Sequence, residues 1–238
     1  HLDFSGDTEI TSMDISIWSA VEDIDLTGCT ALSYLSVSSM ATLTTLNLTG
    51  CTALNSLYVS SLSALTTLKL TGCDQLEMLS AHDCLKLTTI QWPEDISHIS
   101  SLLLYGDSLL TSFSLTGFSN LDELNIERCT SWGNTLDISG THPHYVYFAD
   151  AGIETFVGHA DNWYGWSGVE TVKHLDFSGD TEITSMDISI WPAVEDIDLT
   201  GCTALNYLSV SSLSALTTLK LTGCTNDQIG RASCRERV

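Results

Sequence analysis

Counted from His1, the chain repeats one line of apolar and polar positions every eleven residues. In HLDFSGDTEIT, SMDISIWSAVE, DIDLTGCTALS, YLSVSSMATLT and the blocks that follow, the second, fourth and tenth positions are apolar. Two apolar residues separated by one polar residue are the period-two signature of a short half-buried strand, and the Gly or Ser-Ser after them is where the chain must turn. The pattern predicts strands at 2–4, 24–26, 46–48 and 68–70, with their Leu side chains inward and little helix anywhere. No single block can close a core, so the blocks must stack and bury their apolar ladders against one another, as solenoids do. About ten such coils, at about 4.8 Å per coil, make a rod on the order of 50 Å long.

Blocks alternate in type. Odd ones carry Leu-Thr-Gly-Cys (Leu26 to Cys29, Leu48 to Cys51, Leu70 to Cys73) and even ones Val-Ser-Ser (Val37 to Ser39, Val59 to Ser61), so the true unit is twenty-two residues. One block in the first half, at Trp92-Pro93, runs to twelve. With Leu43, Leu46, Leu48 and Cys51 followed by Leu54, Leu57 and Val59, the chain resembles the leucine-rich repeat family, in its bacterial cell-surface form with a nested half-repeat. The resemblance covers most of 1–140 and 174–224. It implies a β-rich, right-handed solenoid of short parallel strands that binds a protein or glycan outside the cell, without catalysis. Two departures stand out: Cys takes the place where Asn is more usual, and the pattern breaks between 141 and 173.

A longer period is superimposed. Residues 174–201 repeat 1–28 with Ser19 replaced by Pro192, and the match runs on to Cys224 with five further changes. The expected organisation is a solenoid over 1–140, an irregular aromatic-rich coil or insertion over 141–173, and continued solenoid over 174–228 that duplicates 1–51. Because His1 falls mid-pattern, the chain reads as a fragment of a longer protein. The last ten residues, IGRASCRERV, have no periodicity and look like the translation of a sequencing adapter, so 229–238 is set aside from the fold.

Composition narrows the partners. Thirty acidic residues against eight basic ones give a net charge of -22, which disfavours nucleic acid or an anionic membrane as partner. A 43% hydrophobic content is too high for a disordered acidic tail, and the apolar residues never run long enough for a membrane-spanning helix. Seven of the eight Cys occupy the seventh block position, without the close pairing of a metal knuckle. They read as buried free thiols in a repeated niche.

Candidate sites are few. Asp3, Glu22, Asp23 and Asp25 form an acidic patch that recurs as Asp176, Glu195, Asp196 and Asp198. It is read as a solvated face in preference to a calcium site, since no calcium-loop motif is present. The 141–173 segment concentrates aromatic residues and three His. There Trp163, Tyr164 and Trp166, with Asp161 and Asn162 beside them, are expected to form a ligand-binding rim, while Tyr147, Phe148 and Phe156 fill the core. His142 and His144 with Asp150 or Asp161 form a weaker zinc alternative, set aside in favour of exposed histidines, so no metal and no cofactor are expected. Asn47-Leu48-Thr49 matches a glycosylation sequon, discounted because it lies inside a strand pattern. No hydrolase, metalloprotease or phosphate-loop motif occurs. The expected function is a non-catalytic interaction or adhesion module of a surface or secreted bacterial protein, with a structural spacer and a fragment of a carbohydrate-active protein as the alternatives.

Overall fold

The computed structural model describes residues 1–16, 20–159 and 165–224. Their strands are short and every pairing is parallel. One side of the coil carries β1 (Leu2–Asp3), β3 (Asp23–Asp25), β5 (Thr45–Asn47), β7 (Thr67–Lys69) and β9 (Thr89–Gln91) as a five-stranded sheet. The other side carries β2 (Ser12–Asp14), β4 (Tyr34–Ser38), β6 (Ser56–Ser60), β8 (Met78–His82), β10 (Ser101–Leu103), β11 (Glu123–Asn125), β13 (Tyr145–Tyr147) and β15 (Gly165–Ser167), one eight-stranded sheet. A second five-stranded sheet holds β12 (Thr135–Asp137), β14 (Thr155–Val157), β16 (His174–Asp176), β18 (Asp196–Asp198) and β20 (Thr218–Lys220), and β17 (Ser185–Asp187) pairs with β19 (Tyr207–Ser209). Strands β16 to β20 are the duplicates of β1 to β5. A single turn of 3-10 helix, Val169–Thr171, is the helical content of the described residues.

The twenty-two-residue unit appears directly as register. Leu2 pairs with Ile24, Ile24 with Leu46, Leu46 with Leu68 and Leu68 with Ile90. All the residues from Ile24 to Leu68 in that ladder are buried, and the core is the continuous stack between the two sides. Each strand ends one residue earlier than the spacing predicts, because the second apolar residue of each pair already enters the turn. Leu48 still bonds along the ladder, donating its N–H to Lys69 O at 3.0 Å.

Many corners are turned by a left-handed residue. On the first side Gly28, Gly50 and Gly72 supply it, with φ of 74°, 80° and 80°, and they stack so closely that a Cβ on Gly72 would lie 3.4 Å from Gly50 Cα. The eight-stranded side uses Ser39, Ser61, Asp83, Arg128 and Asp150, at φ between 54° and 60°, where an L side chain is strained. Ser61→Gly is therefore expected to raise stability by about 0.5–1 kcal/mol, the relief of strain outweighing the extra chain entropy of Gly. A urea midpoint that moves up with unchanged slope is the confirming result; a fall would mean the Ser side chain matters more than its φ.

The Cys ladder stands beside the glycine corners. Cys29, Cys51, Cys73, Cys129, Cys202 and Cys224 each donate Sγ–H to a carbonyl twenty-five residues back, on the preceding coil, at 3.0–3.2 Å. All seven described Cys are free, and six are buried. Burial pushes the thiols of Cys51, Cys73 and Cys129 up to about 12. Each of these thiols thus ties its coil to the one before it.

Two irregularities shape the middle. The twelve-residue block at Trp92 lengthens one coil, so Met78 pairs with Ser101, twenty-three residues on. On the opposite side the first five-stranded sheet ends at β9 and the second begins at β12. Trp92, Phe113, Phe118 and Trp132 fill the gap, with neighbouring ring centroids 5.0–5.4 Å apart. Among the described residues of 141–173, β13, β14 and β15 pair in register with strands of the neighbouring coils on both sides. The coils here are shorter, with Thr135 paired to Thr155 and Thr155 to His174. Larger side chains occupy these shorter coils: Phe148 and Phe156 are fully buried.

Candidate interaction surface

The outer face of the eight-stranded sheet combines rigidity with exposed aromatic area. Leu35, Leu57, Leu79, Leu102, Leu124 and Val146 form its buried inner row. The residues on either side of that row point outward. In this way Tyr34, 41% exposed, comes to stand opposite Ser56, and Tyr58, 37% exposed, opposite Ser36. Each ring faces a small residue across the ladder, so the two tyrosines meet on the diagonal, with centroids 5.6 Å apart. Further along, His82 stacks on Tyr105 at 4.3 Å, and Arg128 reaches Asp83 at 3.4 Å. Tyr145 is exposed and Tyr147 half-buried at the far end, where Ser167 Oγ donates to Glu127 at 2.6 Å. Burial, and after it the neighbouring Glu123, holds the Tyr147 phenol above its usual range. Tyr147 and Tyr105, the latter raised by burial and then by Asp83, keep their phenol protons at neutral pH and remain hydrogen-bond donors.

Tyr34 and Tyr58 were not singled out in the sequence, although the signal was present. They occupy the first and third positions of their blocks, which the period-two reading turns outward and which elsewhere hold mostly Ser, Thr or Asp. The duplicated coil keeps the first of them as Tyr207, 57% exposed on β19.

Of the expected aromatic rim, Asp161, Asn162, Trp163 and Tyr164 lie outside the described residues. Trp166 departs from the expectation. It occupies the inward position of β15, in register with buried Val146, and its indole packs edge-on against Phe156 at 5.2 Å and Trp191 at 5.9 Å. The ring is half-buried there and packs against the core.

The acidic patch lies on the five-stranded sheets. Asp3 pairs with Asp25 and Asp176 with Asp198, like charge beside like. The repulsion is answered locally: Asp3, Asp25, Asp176 and Asp198 each accept the backbone N–H two residues on, at 2.9 Å. His1 caps Asp23 at 2.8 Å and His174 caps Asp196 at 2.9 Å. Where the first copy has Asn47 the second has Lys220, whose Nζ meets Asp198 at 2.8 Å and brings that carboxyl down to about 2. Glu22 and Glu195 lie exposed in the preceding turns. The Asn47 side chain is committed to Thr27 and Thr49, at 2.9 and 2.8 Å.

A cleft of about 210 Å³ opens at the gap between β9 and β12, between Phe113, Leu115 and Trp132 on one hand and Asp137 and Ser139 on the other. Its lining includes no His, Cys or Lys. Asp137, its one carboxylate, accepts the Ser139 N–H at 2.9 Å. His144 turns to Asp122, while His142 meets His159.

No family model matches the chain, and no curated protein matches it. Among solved structures, a leucine-rich repeat protein from Bacteroides ovatus is similar over 94% of this chain and 80% of that one, at 14% identity and a TM-score of 0.27. The assignment of a leucine-rich-repeat-like β-solenoid rests on this chain's own geometry, in the parallel ladders, the twenty-two-residue register of Leu2, Ile24 and Leu46, and the near absence of helix among the described residues.

Proposed function

We propose that the chain is a non-catalytic interaction module of a surface or secreted bacterial protein, and that it engages a protein or glycan through the outer face of its eight-stranded sheet. The observation that carries this reading is the pair Tyr34 and Tyr58, exposed on a fixed strand ladder. Tyrosine supplies large contact area with two side-chain torsions to immobilise, and strands hold it more firmly than a loop would. The flanking Ser and Thr supply polar partners for a glycan hydroxyl or a peptide carbonyl. The acidic surface favours a neutral or basic ligand.

The duplication of β1 to β5 as β16 to β20 favours a second reading, a structural spacer that holds another part of its parent protein at a distance. Glycan and peptide arrays probed with the chain separate the two. Under the first reading a ligand is found, and Tyr34→Ala with Tyr58→Ala weakens it by about 10- to 100-fold at unchanged circular dichroism, as expected where a few aromatic side chains carry most of the binding energy. An array without any hit favours the spacer, and a hit that the double variant binds as tightly sinks the tyrosine face.

A further inference from the structure

Three successive coils place chemistry-bearing side chains at the same corner. His142 follows β12, His159 follows β14 and Glu182 follows β16, each in the turn after its strand. One ligand atom from each of the three lies within 4.8 Å of the others. His159 Nε2 is 3.7 Å from Glu182 Oε2, and the two imidazoles stand edge to face with centroids 4.3 Å apart. Among the described residues this is the one group of three or more such side chains so placed, and the acidic patch forms none.

A fourth residue orients the set. Asp180 Oδ1 accepts the N–H groups of Glu182 and Ile183 at 2.8 and 3.1 Å, which locks its carboxylate in the turn. Its Oδ2 faces His159 Nδ1, and both side chains are buried. A carboxylate on Nδ1 places the imidazole proton there and leaves the Nε2 lone pair directed at Glu182 and His142. That is how a metal-binding histidine is held by a supporting carboxylate. His142 and Glu182 are exposed, Glu182 to 74%, so an ion can enter from solvent.

We propose that His142, His159 and Glu182 bind a divalent transition-metal ion of the zinc type. Two imidazole nitrogens and one carboxylate oxygen suit zinc in donor type, and a tetrahedral ion with these three ligands keeps a fourth position for water or a partner's side chain. Magnesium and calcium prefer sites built from oxygen alone. The first copy of the repeat provides an internal control. Asp7 makes the same turn, accepting the N–H groups of Glu9 and Ile10 at 2.8 and 3.1 Å, but no histidine pair joins Glu9 in such a group.

Calorimetric titration of the full chain with zinc chloride tests the site. One ion per chain is expected, with His142→Ala and Glu182→Gln each weakening binding by about tenfold or more and Asp180→Asn by about 10- to 100-fold. Glu9→Gln should change nothing. His142 and Glu182 are exposed, so their variants report on the ion even if replacing buried His159 disturbs the coil. Cobalt(II) in place of zinc should give a tetrahedral visible spectrum without thiolate-to-metal charge transfer. Absence of zinc binding by the folded chain, binding that survives both surface variants, or a thiolate band that puts the ion on cysteine would each overturn the proposal.

Discussion

Leu46→Asp is expected to unfold the coils around β5. Leu46 is fully buried, with Ile24 and Leu68 as its ladder partners on either side. The substitution removes an apolar side chain, which alone costs about 2–5 kcal/mol, and adds a carboxylate with no cation beside it in the stack. Several kcal/mol is a large fraction of the stability of a domain this size. Leu46→Ala separates the two contributions: it should leave a folded chain with a lower urea midpoint, while Leu46→Asp loses the strand signal in circular dichroism or fails to accumulate as soluble protein. An Asp variant that melts like the Ala variant would show that position 46 has access to water. In a solenoid each coil touches only its neighbours, so the damage should centre on the adjacent coils.

The second large effect is a pH dependence seated at Asp107. This residue takes the ladder position that Cys holds in other coils, and it is fully buried. Its Oδ1 accepts the Cys84 N–H at 2.7 Å, while Oδ2 has no hydrogen-bond partner. Burial pushes the carboxyl up to about 8, with Asp83 adding repulsion and the Cys84 bond acting against both. In the unfolded chain the group titrates near its ordinary value of about 3.9. Between these two values the folded state holds a proton that the unfolded state has lost. Stability therefore falls as pH rises from about 4 to about 8 and levels off beyond, a decline on the order of 4 kcal/mol by neutrality. Asp107→Asn keeps an acceptor for Cys84 and cannot ionise. Its urea midpoint should match the parent near the acid end of that window and exceed it increasingly toward the alkaline end. Parallel pH profiles for the two proteins would show that Asp107 is already ionised in the fold.

Much of this architecture is legible in the chain because the period-two apolar pair and the left-handed Gly recur at fixed spacing. Leu46, Leu48 and Gly50 sit in the structure as that spacing requires. Legibility stops where coil length changes. Between β12 and β16 the coils shorten, the eleven-residue count slips, and aromatic rings take over from Leu, so a Trp packed against the core, as Trp166 is, and a Trp on a rim give the same local pattern. Tyr34 and Tyr58 were legible as outward positions but looked ordinary among their neighbours. His142, His159 and Glu182 have no local signature because their proximity depends on the length of each intervening coil. Only the stacked register brings one side chain from each of three turns to a common corner.

The thiol ladder has a kinetic meaning beyond its packing. A thiol reacts through its thiolate, and a group held at about 12 is ionised in only on the order of one molecule in 100,000 at neutral pH. Cys51 and Cys73 are therefore inert while their coils are closed and gain ordinary reactivity when a coil opens. Thiols held as high recur at Cys84, Cys129 and Cys202, so the rod carries reporters spaced along its length. The order in which they are alkylated records which coils breathe, which turns a structural ladder into a map of local opening.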